Sequence, residues 1–338
     1  MKIGIFGVSF DPIHSGHIEV ARQAYALLNL DEVWFLPSSK TPLKDRNLTD
    51  NEDRKHMISL SIQNIPYFSL CTIEMEREGI SYTIDTVLEL KRLYPDYDFY
   101  WIIGNDQLKQ FHLWKEANRI CEEVKVVCFN RDYQMSSTKY PIQCLHMKDV
   151  CVSSSEIRKG NKLNYLCDGV LDYIYEKRLY VEEFVKSRVK PKRFEHSLSV
   201  AKLCSQFAIN NGLDEKKAYY AGLFHDIAKS MTVKEMEPWM DILCPENKSY
   251  APAVWHGFVG SEIVDRIFEI HDPQIKNAIY HHVLGTSEDP YAMIVFCADK
   301  LDPLRDYDTS YGIGLCNENI YKGFLYECEE NRKYLEGK

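Results

Sequence analysis

Two groups of residues in this chain have types and spacings that could do chemistry. The first is GIFGVSFDPIHSGH, residues 4–17. An apolar run that reads as a strand ends at Phe6, a turn follows over residues 7–12, and a helical pattern begins near Ser15. A helix N-terminus presents free N–H groups and a partial positive charge, which favour phosphate. His14 and His17 lie three apart at that helix start, so they can project toward one point. Two imidazoles there can donate hydrogen bonds to oxygens that gain charge during phosphoryl transfer. The second group reads His196, then His225-Asp226, then His256, then His281-His282, then Asp299. Each falls on or at the end of a different predicted helix, the way a helical bundle builds a metal site in its core. Imidazole with carboxylate suits divalent transition metals and needs no thiolate. The adjacent pair His225-Asp226 can supply two ligands at one helix end, with the carboxylate able to bridge two ions. Any one of these histidines alone would read as a cap or a surface group; the grouping points to chemistry.

The elements that must position these residues differ between the halves. The first half alternates β-rich runs (residues 2–6, 32–36, 68–73, 97–103, 125–129 and 142–146) with helical patterns (16–28, 52–64, 83–93 and 107–117). That alternation predicts an α/β, Rossmann-like, doubly wound parallel sheet, closed by a helix over 169–176. The glycine-bearing turn after the first strand then lies where such sheets bind ligands, at the carboxyl ends of the strands. Beyond about residue 182 the β signal fades, and Phe194, Leu198, Ala201, Cys204 and Ala208 recur at helical spacing. Asn211-Gly212 ends that helix and Asp214 caps the next, over 215–225. Further helices are predicted over 257–268, 273–282 and 291–302, with a charged terminal helix over 317–338. The reading is therefore two domains, 1–182 and an all-α domain at 190–338, joined by the polar, proline-containing stretch 186–192.

The first motif resembles the phosphate-binding signature of the HxGH nucleotidyltransferase superfamily, and residues 1 to about 180 resemble bacterial nicotinate-nucleotide adenylyltransferases. The resemblance implies catalytic roles for His14 and His17 and substrate contacts from Gly7, Ser9 and Phe10. Residues 37–44 resemble the loop that supplies a phosphate-binding lysine, which places that role on Lys44. SYTIDT, residues 81–86, resembles the segment flanking the mononucleotide pocket and implicates Tyr82, Thr83 and Thr86. Gly104 and Asp106, followed by Trp114, resemble the stretch in which the acid contacts nucleotide groups and the indole stacks on the pyridine ring. VSSSEIR, residues 152–158, resembles the second ATP motif; Ser153, Ser154 and Ser155 at a helix start with Arg158 suit the outer phosphates. Val8 stands where the family usually has a second glycine, and Leu43 where a histidine usually precedes the lysine. The implied reaction is attack by the 5′-phosphate of nicotinate mononucleotide on the α-phosphorus of ATP, with Mg²⁺ as the counter-ion.

GLFHDIAK (222–229), WHGFVGSEI (255–263), AIYHHVLG (278–285) and CADKLDPLRD (297–306) resemble the HD superfamily of metal-dependent phosphohydrolases. More narrowly, they resemble the bacterial HD proteins that split diadenosine tetraphosphate symmetrically. The resemblance implies that His196, His225, Asp226 and Asp299 hold one metal, and that His256 and His282 hold a second with Asp226 between them. Motif spacing favours His282 over His281, iron is the family's metal, and Lys229 and Arg305 could hold phosphates. Readings with another mononucleotide acceptor, another phosphoester, or a nucleotide-sensing helical module stay open.

Composition bounds the remainder. A net charge of -9 argues against a polymeric nucleic-acid partner. The N-terminal apolar run is broken at Asp11-Pro12, too soon for a signal peptide, and no run reaches the roughly 18 apolar residues of a membrane span. The eleven cysteines are scattered without a CxxC pair, which suits reduced thiols. The expectation is a cytoplasmic protein off the membrane, and a homo-oligomer is compatible with it.

Overall fold

Residues 3–6 are apolar or small on both sides of the chain, as a strand covered on both faces requires. They lie in β1 (Lys2–Val8), at the centre of a six-stranded parallel sheet. The computed structural model describes residues 1–39, 48–77, 79–130, 138–147 and 150–336. The other strands are β2 (Glu32–Pro37), β3 (Phe68–Leu70), β4 (Asp98–Gly104), β5 (Lys125–Asn130) and β6 (Gln143–His146), in the order β3-β2-β1-β4-β5-β6. Every adjacent pair is parallel; in register, Ile5 lies between Trp34 and Trp101. The connections carry α1 (Ser15–Leu28), α2 (Asn51–Ile62), α3 (Thr83–Leu93), α4 (Asn105–Gln110) and α5 (Ala117–Glu123), followed by α6 (Ser154–Ile157) and α7 (Val170–Lys177).

Strand periodicity divides the core. Ile3, Ile5, Trp101 and Ile103 pack with Ile84, Val87 and Leu90 of α3 and with Phe111 and Ile120. Phe6 points to the other face, where its ring meets Phe10 and Phe35. The doubly wound sheet expected from the sequence is present. The helix expected over 107–117 is divided. α4 stops at Gln110, a single 3₁₀ turn follows over Phe111–Leu113, and Glu116 adopts a left-handed φ of 54° before α5. Phe111 and Ile120 are both fully buried in one core, so the chain bends between them instead of continuing one straight helix.

The second half contains α8 (Val181–Lys186), α9 (Pro191–Asn210), α10 (Glu215–Phe224), α11 (Val233–Leu243), α12 (Trp255–Arg266), α13 (Pro273–His281), α14 (Pro290–Lys300), α15 (Ser310–Glu318) and α16 (Ile320–Glu336). Asp214, Asp272 and Asp289 cap α10, α13 and α14 by accepting backbone N–H groups, and proline opens α13 and α14. α14 is buried from Tyr291 to Ala298, which makes it the central helix. Gly222 lets α10 lie close on α9: a Cβ there would come within 2.8 Å of Cys204 Sγ and 2.9 Å of the Ala201 backbone. Sequence reasoning overlooked α11, although Thr232 and Glu235 form a reciprocal capping box at its start. The terminal helix expected over 317–338 is α16, and α15, just ahead of it, was not anticipated.

The chain divides into two compact units, Met1–Arg158 with Lys162–Leu179, and Lys159–Asn161 with Tyr180–Lys338. Among the described residues no helix is long and apolar enough to cross a membrane.

Two candidate active sites

In an open α/β sheet, the strand order reverses at one point, and the connections there diverge to leave a crevice beyond the strand ends. Here that point lies between β1 and β4, and a cavity of about 420 Å³ opens beside them. Gly7, Val8 and Ser9 line it from the end of β1, and Gly104 and Asp106 from the end of β4. His17, Tyr82, Thr83 and Trp114 complete the wall among the residues singled out in the sequence. His14 is buried beside His17, with the two rings stacked at 3.7 Å between centroids. The backbone N–H of His14 donates to His17 Nδ1 at 3.2 Å. Nδ1 is therefore an acceptor, and the proton of a neutral His17 sits on Nε2.

The second motif folds against the first. Ser153 caps α6, Ser154 Oγ donates to the Pro12 carbonyl at 2.9 Å, and the Arg158 guanidinium donates to the Asp11 carbonyl. Ser155 Oγ lies 3.0 Å from Ser153 Oγ. Gly16 permits this approach: a Cβ there would come within 2.9 Å of Val152 and 3.0 Å of His14 Nδ1. These groups fix the turn at residues 11–12 and do not line the cavity. Phe10, in the left-handed region at φ 48°, packs against Phe6 and His17 and also lies off the cavity wall. Thr86 is fully buried; its hydroxyl donates to Glu74 at 2.9 Å and accepts from Arg77 at 3.1 Å. Burial pushes Glu74 above the usual carboxyl range. Lys44 lies outside the described residues, as does Leu43.

Arg54 escaped the sequence reading. It is 1% exposed, and a single nitrogen donates to the carbonyls of Ser9 at 2.8 Å and Ser38 at 2.7 Å, both residues of the cavity wall. Arg54 also donates to Thr49 O and Asn51 Oδ1. The charged run around it reads as a solvated helix face. The available signal was its spacing: Met57 and Ile58, three and four residues on, lie on the buried stripe of α2.

In the second unit, the ligand-type side chains converge from five helices. His196 comes from α9, His225 and Asp226 from the end of α10, His256 from the start of α12, His282 from the end of α13 and Asp299 from α14. The Nδ1–H groups of His225, His256 and His282 donate to the carbonyls of Gly222, Ala253 and Ile279 at 2.6, 2.8 and 2.6 Å. A carbonyl only accepts, so each neutral ring keeps its lone pair on Nε2. His196 Nδ1 is held by Asp302 at 2.5 Å, and Asp302 in turn accepts from Ser199. All four Nε2 atoms face carboxylates. His256 and His282 lie 3.2 and 3.7 Å from Asp226 Oδ1; His225 and His196 lie 3.5 and 4.0 Å from Oδ2. Asp299 Oδ1 is 3.1 Å from His196 and 3.8 Å from His225. His281 takes no part; its Nδ1 pairs with the Thr286 hydroxyl.

Burial would raise Asp226, but His225, His256 and His282 outweigh it and hold the carboxyl well below its usual range. Burial pushes His225 down to about 4, so the ring stays neutral at pH 7. His225 Nε2 is buried with no hydrogen-bond partner among the described residues. Buried lone pairs aimed at carboxylate oxygens need a cation between them, and orienting bonds on the far nitrogen are characteristic of metal-ligating histidines. The residues thus fit a divalent metal, in two sets that share Asp226: His196, His225, Asp226 and Asp226, His256, His282. Three cations rim the cluster. Arg193, which the sequence reading passed over, donates to Asp226 Oδ2 at 2.7 Å; Lys229 lies 3.2 Å from His256 Nε2; Arg305 donates to Asp299 Oδ1 at 3.0 Å.

Fold and sites define a nucleotidyltransferase-type unit followed by an HD-type unit. The cytidylyltransferase-like family matches residues 5–160 and the HD domain family residues 193–304. A protein of Mycoplasma genitalium named as a probable nicotinate-nucleotide adenylyltransferase/Ap4A hydrolase is 30% identical over 339 residues, covering 96% of this chain and 96% of that protein. The same name is carried by a Mycoplasma pneumoniae protein, 26% identical over 90% of this chain and 89% of its own length. A probable nicotinate-nucleotide adenylyltransferase of Bacillus cytotoxicus is 42% identical over 53% of this chain and 98% of its own length. The chain belongs to the nicotinate-nucleotide adenylyltransferase/Ap4A hydrolase family.

Proposed function

We propose that the chain is a bifunctional enzyme. Its first unit transfers adenylyl from ATP to nicotinate mononucleotide, giving deamido-NAD and pyrophosphate. Its second hydrolyses diadenosine tetraphosphate symmetrically to two ADP. The observation that carries this reading is that each unit holds its own assembled site: the switch-point cavity with its paired histidines, and the cluster of four imidazoles around Asp226.

In the first site the attacking nucleophile is the substrate's own phosphate, so the protein's work is alignment and charge stabilisation. His17 Nε2–H donates to the reacting phosphates, and His14 holds its ring in place. Arg158 and Ser153–Ser155 shape the turn under the phosphates. Tyr82, Thr83, Asp106 and Trp114 hold the mononucleotide. Mg²⁺ accompanies ATP. In the second site, His196, His225, Asp226 and Asp299 would hold one ion of iron or another divalent transition metal, and His256 and His282 would hold a second with Asp226. Such ions supply Lewis acidity and an activated water when bound. Lys229 and Arg305 hold the polyphosphate chain, and the Asp302 and backbone acceptors keep the imidazoles oriented.

The test is a product assay on purified, metal-replete protein. One tube holds ATP, Mg²⁺ and nicotinate or nicotinamide mononucleotide; the other holds diadenosine tetraphosphate. Deamido-NAD in the first and ADP in the second are expected. A metal-replete chain that binds the dinucleotide without splitting it would replace the second half of this reading with a nucleotide sensor.

A further inference from the structure

Buried polar groups in proteins are satisfied in nearly every case, and a tryptophan N–H that is buried usually has an acceptor. Three that lack a partner among the described residues line one place. Trp101 Nε1, Ser81 Oγ and Ser38 Oγ are buried, have no hydrogen-bond partner among the described residues, and belong to residues of the switch-point cavity wall. Trp101 carries the most information, because its indole is a donor only and so specifies an acceptor on whatever it meets. It stands on β4, 2% exposed, opposite Ile5 of β1. Its ring lies under the first residue of the phosphate turn: a Cβ on Gly7 would be 3.2 Å from Trp101 Cζ2 and 3.8 Å from Cε2, the carbon bonded to Nε1. It shares a core with α3, whose N-terminal residues Tyr82 and Thr83 form the neighbouring wall beside Ser81.

We propose that Trp101 Nε1–H is a specificity-determining donor to an oxygen of the acceptor mononucleotide, with the Ser81 hydroxyl as its neighbour in the same contact. This rests on reading the cavity as the adenylyl-transfer site. The indole lies on the face of the sheet that carries α3 and Tyr82, which the acceptor occupies in that reading. A cavity that leaves a buried donor unsatisfied discriminates strongly, because a ligand lacking the matching oxygen leaves that donor unpaired.

The test is Trp101→Phe in the full chain, which keeps an aromatic ring and removes the N–H, with Ser81→Ala as a smaller second variant. Steady-state kinetics are run well below the melting temperature of each variant, with nicotinate and nicotinamide mononucleotide as alternative acceptors. Calorimetric binding of each mononucleotide without ATP gives a readout apart from turnover. The expected result for Trp101→Phe is a KM and a Kd for the acceptor raised about tenfold, with the KM for ATP within twofold of the parent. Ser81→Ala is expected to move the same constants by a few fold. A rise for one acceptor alone places the oxygen on the ring substituent, where the two differ; a rise for both places it on an oxygen that both carry, in the ribose phosphate or the substituent's carbonyl. Unchanged acceptor KM and Kd, with at most a lower melting temperature, would make Trp101 a packing residue and overturn the proposal. So would a change confined to ATP. If the parent chain itself transfers nothing to either acceptor, the adenylyl-transfer reading fails instead, which is a distinct outcome.

Discussion

The two units build their sites in opposite ways. The first uses a short contiguous stretch, a strand end, a left-handed Phe10, a turn and a helix start, so that backbone conformation does most of the positioning. The second uses single side chains from five helices that meet only because the bundle packs around α14. A site of the first kind fails when a loop shifts; a site of the second kind fails when one ligand is lost. The difference also sets which groups are charged. The first cavity carries Glu74, Asp106 and Lys115 in a wall of otherwise uncharged residues, whereas the second site gathers two carboxylates among four imidazoles under a rim of cations.

The sharpest way to break the comparison is at Asp226, the residue shared by both ligand sets. Asp226→Ala is expected to abolish hydrolysis of diadenosine tetraphosphate and to remove bound metal, measured by elemental analysis, while adenylyl transfer persists. Retained metal at full stoichiometry would contradict its place at the centre. Next comes His17→Ala, with adenylyl transfer expected to fall about 10²–10³-fold, as when one oxyanion-type donor is removed. Its circular dichroism and its hydrolase rate should match the parent; near-parental transfer would remove His17 from the chemistry.

Arg54→Lys probes the backbone-built character of the first site. Lysine keeps the charge but cannot reach the Ser9, Ser38 and Thr49 carbonyls together from one planar fork. Adenylyl transfer is expected to drop about 10–100-fold at temperatures where the variant is fully folded, since small misplacements of positioning groups cost that much. Parental kinetics with only a lower melting temperature would reduce Arg54 to a packing role.

The smallest effect is expected at a residue outside both sets of site residues. Glu327 on α16 is 7% exposed, and burial pushes its carboxyl up to about 7, with Lys300 opposing and Glu330 adding. Its folded pKa lies above the unfolded value, so its proton stabilises the fold below about pH 4.5, and that stability is lost as pH rises through 7. Glu327→Gln should therefore melt a few degrees higher than the parent at pH 8 and about the same at pH 4.5, by at most about 3 kcal/mol. An equal shift at both pH values would contradict the burial account.

How much was legible in the sequence follows from the same contrast. The strands and their order of appearance were plain, because apolar runs covered on both faces and helical spacing leave local signals. The bend between α4 and α5 was hidden, because it depends on Phe111 and Ile120 sharing one core. GIFGVSFDPIHSGH was readable as one string. The cluster was readable as His196, His225-Asp226, His256, His281-His282 and Asp299 spread over five predicted helices, with spacing favouring His282, and the structure brings His282 to Asp226 while His281 turns to Thr286. Arg54 and Arg193 left no motif; each matters through a partner distant in sequence, Ser9 and Asp226. Thr86 and Phe10 looked like pocket residues and are buried beneath it, holding the wall in place from behind.

The central claim is that one chain carries two separable sites. Its most direct test assays parent, His17→Ala and Asp226→Ala chains side by side for deamido-NAD from ATP and nicotinate mononucleotide, and for ADP from diadenosine tetraphosphate. The account predicts a double dissociation: Asp226→Ala abolishes ADP formation, His17→Ala lowers deamido-NAD formation about 10²–10³-fold, and each leaves the other product at the parental rate. Loss of both products in either variant, with the fold intact, would contradict it.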